Sequence, residues 1–150
     1  MQREYITSRF PKRNLIGQIL LKKGLINGDR LKEALTIQKR DGGLLGDILI
    51  EQGFITEESL FIALANQCSL IYIPVEKYNI SKNLLKLFPK ELLLKYSFIP
   101  LEIIGDVLTA AISDPFDEEA VNAIEKSISY KTIFMIGTKT QIEKIIKANY

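Results

Sequence analysis

Residues 15–38 read LIGQILLKKGLINGDRLKEALTIQ, and residues 44–67 read LLGDILIEQGFITEESLFIALANQ. The two stretches align without a gap at an offset of 29, and ten of their 24 positions are identical. Each unit of a repeat architecture is one supersecondary element that packs against its neighbour. The sequence therefore predicts two copies of the same fold in its first half.

Each copy predicts a short helix followed by a longer one. The short helix ends at Gly24 or Gly53, because glycine tolerates the left-handed backbone that follows a helix. The longer helix begins after Asn27 or Thr56, whose side chains can cap the first free N–H groups. Apolar residues then recur at helical spacing on one face. The spacer between the copies, residues 39–43, predicts a turn.

Two pairs of equivalent residues leave alternatives open. A glycine inside a helix costs about 0.5–1 kcal/mol relative to alanine, so Gly17 and Gly46 serve either close helix packing or the approach of a ligand to the backbone. Gln38 and Gln67 end the apolar face of the longer helix. They are either structural amides that bind backbone carbonyls or ligand contacts.

From Ser69 onward the pattern is that of a small α/β unit. It predicts an extended stretch at 71–74, two helices at 81–88 and 89–95 that are split by Pro89, and a hairpin of strands 98–104 and 107–112. A helix capped by Asp114 (114–129), a third strand (131–136) and a last helix opened by a capping box (138–149) follow. The predicted fold class is α+β. A helical subdomain of two tandem helix-turn-helix repeats (residues 1–68) packs on an α/β subdomain with the order β-β-α-β-α (residues 69–150).

The composition argues against an enzyme. The 150 residues include no histidine, which removes histidine acid–base chemistry and histidine metal ligation, and no glycine-rich phosphate loop is present. The paired acids Asp117 and Glu118 fit the first turn of a helix better than a catalytic pair. The single cysteine, Cys68, ends an apolar helical pattern and is expected in the core. We predict no catalytic residue and no metal site.

Charge and hydropathy bear on location and partners. The net charge of +2 is small and scattered, which disfavours binding to a nucleic-acid polymer. No apolar run approaches the ~20 residues of a membrane span, and the N-terminus lacks the apolar core of a signal peptide. The sequence therefore predicts a cytoplasmic protein.

The double repeat with its five-residue spacer resembles the MshEN-type N-terminal domain of type II secretion and type IV pilus assembly ATPases. The pattern of that family is R-L-G-x-x-L-L-x-x-G-L-I-x-x-x-x-L-x-x-x-L-x-x-Q, repeated. The second half is similar to the companion α/β part of the domain through residues 84–89, 99–101 and 113–117. The resemblance covers nearly the whole chain.

The resemblance implies a ligand for some members, the second messenger cyclic di-GMP, bound through both repeats. The matching positions, with a weaker candidate from the α/β part last, are Gly17, Leu20, Gly24, Leu31, Leu35, Gln38, Gly46, Leu49, Gly53, Leu60, Leu64, Gln67 and Asp114. This chain departs from the pattern at the leading arginine, where it has Leu15 and Leu44. Arg9, Arg13 or Arg40 would have to replace that guanidinium, which forms paired charged hydrogen bonds that leucine cannot form.

Two hypotheses follow from the resemblance. The first is a non-catalytic docking and regulatory domain that joins a C-terminal ATPase motor to a platform protein of the inner membrane, so that the domain lies at the membrane only through that partner. The second is a cyclic di-GMP sensor that controls the same ATPase. No cofactor is required by either, and the missing arginines favour docking.

Overall fold

The computed structural model describes residues 16–150 of the chain. Leu15, Arg9 and Arg13 lie outside the described residues. The ligand contacts expected of these residues stay predictions.

The two repeats fold as two pairs of helices. The bounds of α1 to α4 are Ile16–Lys22, Gly28–Asp41, Leu45–Glu51 and Glu57–Gln67. Helix α1 packs against α3 and α4, and α2 packs against α3. The duplicated sequence thus forms a four-helix layer.

The predicted caps of the repeats are confirmed. Asn27 accepts the N–H of Arg30 at 2.8 Å, and the hydroxyl of Thr56 accepts the N–H of Ser59 at 3.1 Å. Gly24 and Gly53 have φ of +71° and +72°. In both copies the residue after the glycine donates its N–H back across the last turn, at 3.0 and 2.9 Å, which is the Schellman arrangement.

The spacer is shorter than the sequence suggested. Helix α2 continues to Asp41 and ends where Gly42 adopts φ of +75° and donates its N–H to the carbonyl of Gln38 at 2.8 Å. Residues 39–41 of the predicted turn therefore belong to the helix. Lys39 and Arg40 are good helix formers that also suit the negative end of the helix dipole, and the left-handed glycine comes only after them.

The second half contains four helices, a short 3₁₀ turn and three strands among the described residues. In chain order they are the 3₁₀ turn Val75–Lys77, α5 Lys82–Leu85, α6 Lys90–Tyr96, β1 Phe98–Ile104, β2 Val107–Ile112, α7 Glu118–Ser127, β3 Lys131–Ile136 and α8 Lys139–Asn149. The α+β class and the β-β-α-β-α order are confirmed. Helix α5 is only four residues long, shorter than the predicted 81–88.

Helix α7 begins later than predicted. Asp117, and not Asp114, is its N-cap, and its side chain accepts the N–H of Ala120 at 3.0 Å. Asp114 instead accepts the N–H of Phe116 at 3.0 Å, two residues ahead, which makes a turn before the helix. Both aspartates are residue types that commonly cap helices, but the side chain of Asp114 accepts a hydrogen bond within the turn that precedes the helix.

The last helix has half of the predicted capping box. Thr138 caps α8 by accepting the N–H of Gln141 at 3.3 Å. The reciprocal bond is not formed, because Oε1 of Gln141 is buried without a hydrogen-bond partner. At the other end of α8, the hydroxyl of Tyr150 lies 2.6 and 2.8 Å from the carbonyls of Leu85 and Phe88, which fastens this helix to α5.

The sheet has the order β1-β2-β3. Strands β1 and β2 form the predicted hairpin, antiparallel from Phe98↔Ile112 to Ile104↔Val107. Strand β3 lies parallel to β2, from Val107↔Lys131 to Ile112↔Ile136, after the crossover through α7. The predicted extended stretch at 71–74 is reduced to one bridge, Tyr72↔Ile136.

A single apolar core runs through both halves of the chain, from Ile16 in α1 to Ile146 in α8. Helix α4 packs against β3, and Oγ1 of Thr140 in α8 lies 2.8 Å from Oε2 of Glu57 in α4. The subdomain division at residue 68 stays a prediction. In the part of the chain described, no helix is both long and apolar enough to cross a membrane.

Candidate ligand cavity

A cavity of about 530 Å³ opens where the helical repeats meet the α/β half. Helices α1 to α4 form one side. The end of α6, the segment after β2 and the start of α8 form the other. This volume is within the usual range of small-molecule sites, about 300–1,000 Å³.

The repeat side of the cavity is apolar. It consists of Ile16, Leu35, Leu44, Leu45, Leu60, Phe61 and Leu64, and Phe116 faces it from the α/β half. Leu35 and Leu44 remain 43% and 45% exposed, although most large apolar side chains of this layer are buried. The repeats therefore present a partly exposed apolar wall to the cavity.

The remaining lining is polar and rich in acids. It includes the carboxyl groups of Asp47, Glu57, Asp114 and Asp117, the ammonium groups of Lys95 and Lys139, and the neutral groups of Gln38, Tyr96, Ser97 and Ser113. The described lining thus includes four carboxylates and two ammonium groups, and two of the carboxylates, Asp47 and Glu57, belong to the repeat helices.

Ser97 directly precedes β1 and Ser113 directly follows β2, and both residues line the cavity. Ser97 ends α6 in the left-handed conformation, with φ of +45°, and its carbonyl accepts the N–H of Ser113 at 3.2 Å. A non-glycine residue in this conformation costs on the order of 1 kcal/mol and is often found at functional sites. The turn brings Lys95 and Tyr96 to the cavity rim.

Lys95 and Tyr96 form a small network with α7. The hydroxyl of Tyr96 donates to Oε1 of Glu119 at 2.9 Å, and the ammonium of Lys95 lies 3.7 Å from the same oxygen. Tyr96, followed by Glu119, raises the pKa of the exposed Lys95 ammonium. Lys95 therefore carries its charge at neutral pH.

Cys68 lies in the core beside this region. Burial raises the pKa of its thiol to about 12, and the negative charge of Asp114 adds to the shift. The expected place of Cys68 in the core is confirmed.

Gly17 and Gly46 occupy points of close helix packing. A Cβ at Gly17 would lie 2.7 Å from Cδ1 of Leu31, and one at Gly46 would lie 2.9 Å from Cδ2 of Leu60. Any larger side chain would displace the leucine of the longer helix in the same repeat. These distances favour the packing alternative for Gly17, while Gly46 also lines the cavity.

The structure divides the positions that the resemblance implied. Six of them line the cavity: Leu35, Gln38, Gly46, Leu60, Leu64 and Asp114. The others lie away from it, as helix caps, core residues or an exposed amide: Gly17, Leu20, Gly24, Leu31, Leu49, Gly53 and Gln67. The assignment of ligand contacts stays a prediction.

The two equivalent glutamines have different surroundings. Nε2 of Gln38 donates to the carbonyl of Gly43 at 3.0 Å, so this amide closes the turn between the repeats. Gln67 is exposed at the end of α4. The repeat is thus symmetric in sequence but not in its contacts.

Several cavity residues were not singled out from the sequence. Asp47, Lys95, Tyr96, Ser97 and Phe116 come from distant segments that only the fold brings together. Only Phe116 had a signal in the sequence, because it lies in the stretch 113–117 that was part of the family resemblance.

The chain matches the model of the MshEN domain over residues 68–150. It is 26% identical over 135 residues to the type IV pilus assembly ATPase PilB of Myxococcus xanthus, covering 90% of this chain and 24% of that protein. It is 29% identical over 127 residues to bacteriophage adsorption protein B of Escherichia coli, covering 85% of this chain and 17% of that protein. The chain thus spans about a quarter or less of the length of these relatives.

Two solved structures share the fold. The structure of MshE with cyclic di-GMP superposes with a TM-score of 0.78 at 30% identity, covering 90% of this chain and 98% of that one. The N-terminal domain of XpsE superposes with a TM-score of 0.71 at 19% identity, covering 89% and 92%.

The family model covers the α/β half, and the MshE superposition extends over nearly all of both chains, repeats included. The chain therefore belongs to the MshEN domain family, the N-terminal domain type of secretion and pilus assembly ATPases that its double repeat had indicated.

Proposed function

We propose that this chain is a non-catalytic docking and regulatory domain of a bacterial type II secretion or type IV pilus assembly ATPase. It links the motor to a platform protein of the inner membrane and lies in the cytoplasm beside that partner. The observation that carries the proposal is the composition of the cavity. An apolar wall with two half-exposed leucines beside four carboxylates suits a protein segment better than a ligand with two phosphates.

The leading position of the second repeat supports docking. Leu44 stands there and lines the cavity, where the family pattern has an arginine. A dianionic dinucleotide would meet leucine in place of a guanidinium and would share the cavity with four carboxylates. One missing charged hydrogen bond costs about 1.5–3 kcal/mol, or roughly tenfold to a hundredfold in affinity.

The test of docking is binding to the cytoplasmic domain of a platform protein encoded in the same genome. Leu44→Asp places a charge on the apolar wall and is expected to weaken binding at least about tenfold, since burial of a leucine contributes about 1.5–3 kcal/mol. Ile104→Asp is the matched control, because Ile104 is 70% exposed and lies at the far end of β1. Equal binding by both variants, or none by the unchanged chain, contradicts docking through the cavity.

A second candidate function is sensing of cyclic di-GMP. It is favoured by the 30% identity to MshE, whose structure contains that ligand, and by the six implied positions that line one cavity. Calorimetric titration with cyclic di-GMP, with GTP and cyclic di-AMP as controls, decides it. Saturable binding in the low micromolar range supports a sensor, and the absence of heat at high ligand concentration excludes one.

The arginine position gives a gain-of-function prediction. Leu44→Arg restores one guanidinium and is expected to tighten cyclic di-GMP binding by about tenfold to a hundredfold. Leu44→Lys supplies the same charge without the planar fork and should gain less. If neither variant binds more tightly than the unchanged chain in the same titration, the leading residue does not limit binding.

A further inference from the structure

One face of the sheet is covered over only part of its area. A Cβ atom added at Gly137 would lie 3.0 Å from Cγ1 of Val75 and 3.3 Å from Cδ1 of Ile142. The same atom would lie 3.6 Å from Cβ of Ala111 in β2. The 3₁₀ turn and α8 therefore pack over the sheet at Ala111. Around the first half of β2, the same face of the sheet carries exposed side chains instead.

The strand register places these exposed side chains next to one another. Ile104 of β1 lies opposite Val107 of β2, and two residues further along β2, Thr109 is paired with Ile133 of β3. Ile104 and Ile133 are 70% and 41% exposed, and Val107 is half-buried. Residues that are paired across strands or lie two apart in one strand share a face. Ile104, Val107, Thr109 and Ile133 therefore form one continuous surface, here called the sheet patch.

The sheet patch is more apolar than a solvent-facing surface of a sheet usually is. The alternate residues of the same strands, such as Leu108, Ala110 and Phe134, point to the opposite face and are almost completely buried. A sheet that buries one face normally carries polar side chains on the other. Three of the four side chains in the sheet patch are branched and apolar, so the sheet has a second apolar surface.

Opposite charges flank the sheet patch at two opposite corners. Lys131 of β3 is paired with Val107, and Glu102 of β1 is paired with Thr109, so both side chains lie on the face of the patch. Two strand spacings and two residues separate them. With strands about 4.8 Å apart and about 3.3 Å per residue, their Cα atoms lie roughly 12 Å apart. The patch thus has an apolar centre between one cation and one anion.

Both charged groups have only weak contacts within their own chain. The ammonium of Lys131 lies 3.6 Å from Oδ2 of Asp106, and these two side chains are 80% and 75% exposed. An exposed ion pair of this kind contributes little. Oε1 of Glu102 accepts a long hydrogen bond of 3.4 Å from the neutral hydroxyl of Tyr78. Lys131 and Glu102 can therefore each bind a second partner at the edge of the patch.

We propose that the sheet patch is an interface with a second copy of this chain, related to the first by a two-fold axis. A two-fold interface has to be complementary to itself. An axis that lies between the two sheets, at right angles to the line from Lys131 to Glu102, places each lysine opposite the glutamate of the other copy. The apolar centres of the two patches then face each other. None of these residues lines the cavity, so the inference does not depend on the proposed function.

The size of the patch sets the strength of the association. A standard protein interface buries about 800 Å² on each partner, which is more than these few side chains supply. The isolated chain is therefore expected to pair weakly and only at high concentration. If other domains of a larger protein hold two copies close together, the same contact gains from their effective concentration.

The test is sedimentation velocity of the chain from about 10 µM to about 1 mM, a range that spans weak dissociation constants. We expect the average sedimentation coefficient to rise towards that of a dimer. Ile104→Asp with Ile133→Asp buries charge in the contact and should keep the chain monomeric. Ile71→Asp with Leu87→Asp is the matched control, because these residues are 63% and 53% exposed and lie outside the patch. The control should associate like the unchanged chain.

Charge exchange tests the two-fold arrangement itself. Lys131→Glu alone and Glu102→Lys alone should each raise the dissociation constant about tenfold, because the axis makes every substitution count twice. An equimolar mixture of the two variants restores opposite charges at both corners. The mixture should therefore associate about as tightly as the unchanged chain. Mixing cannot rescue a variant whose fold is damaged, so recovery identifies direct pairing.

Three results would overturn the proposal. One is a monomer at every concentration. Another is equal association of the Ile104→Asp with Ile133→Asp variant and its matched control. The third is a mixture of Lys131→Glu and Glu102→Lys chains that associates no more tightly than either variant alone. Binding of a platform protein through the cavity is measured separately and is unaffected by these three outcomes.

Discussion

At several single positions of this domain, packing and backbone conformation determine which residue is present. Gly17 and Gly46 let the short helix of each repeat approach a leucine of the long helix. Gly24 and Gly53 have open space around them and are required by their positive φ instead. The sequence predicted the second pair correctly, because a cap glycine is a local feature. It left the first pair open, because close packing depends on a partner more than ten residues away.

Replacement of Gly17 by alanine is expected to destabilise the fold by about 1 kcal/mol. The new methyl meets Leu31 at 2.7 Å and Leu45 at 3.2 Å, and overpacking of a core costs about 1–3 kcal/mol. The higher helix propensity of alanine offsets at most about 1 kcal/mol. Urea denaturation followed by circular dichroism measures the difference. Gly28→Ala is the control, since no atom lies within 4 Å of the place its new methyl would take, and it should not lose stability.

Cys68 gives the domain a pH dependence in alkaline solution. The thiol has a pKa of about 12 in the fold against an ordinary value of 9.0. Between these pH values the unfolded chain loses the thiol proton while the folded chain keeps it, so the free energy of unfolding falls as the pH rises. Below about pH 9 both states are protonated and this group contributes no pH dependence.

The expected loss from this thiol is about 1.4 kcal/mol at about pH 10. Cys68→Ala removes the group, so the variant should lose less stability than the unchanged chain between about pH 8 and about pH 10. Urea unfolding at the two pH values measures both slopes. Equal slopes would show that the folded thiol ionises as readily as the unfolded one.

At the scale of elements, a single strong local signal predicted the element correctly, whereas two competing signals in one segment misplaced the start of a helix. The hairpin has the predicted strands, because Gly105-Asp106 is a strong two-residue turn between apolar runs. The start of α7 was wrong, because Asp114-Pro115 and Asp117 offer two caps three residues apart. The parallel position of β3 was outside the reach of local patterns, because it depends on how α7 crosses the sheet.

The cap of α7 is directly testable. Asp117→Ala removes the bond to the N–H of Ala120 and is expected to cost about 1 kcal/mol of stability. Asp117→Asn retains a capping oxygen and should stay within a few tenths of a kcal/mol of the unchanged chain. Thermal or urea unfolding of both variants measures the effect. If Asp117→Ala is as stable as Asp117→Asn, Asp117 does not cap α7 and Asp114 is the N-cap instead.

At the scale of the whole molecule, one wall of the cavity could be predicted from the repeats in the sequence, whereas the other wall is formed only by the tertiary fold. Leu35, Leu60 and Leu64 belong to the duplicated pattern and could be predicted to share a surface. Tyr96 and Phe116 could not, because they are separated from the repeats by tens of residues and only the closure of the α/β half brings them there. The family itself was recognised mainly from the repeats, whereas the family model matches residues 68–150.

The parallel register of β2 and β3 also has a kinetic consequence. Each pair in that ladder joins residues 24 positions apart, such as Val107 and Lys131, so the intervening loop has to close before any of its hydrogen bonds forms. The helix pairs of the repeats form largely local contacts and are free of this delay. In pulse-labelled hydrogen exchange during refolding, we expect the amides of α2 and α4 to gain protection before those of β3. The reverse order would mean that the sheet nucleates folding and that the repeats assemble on it.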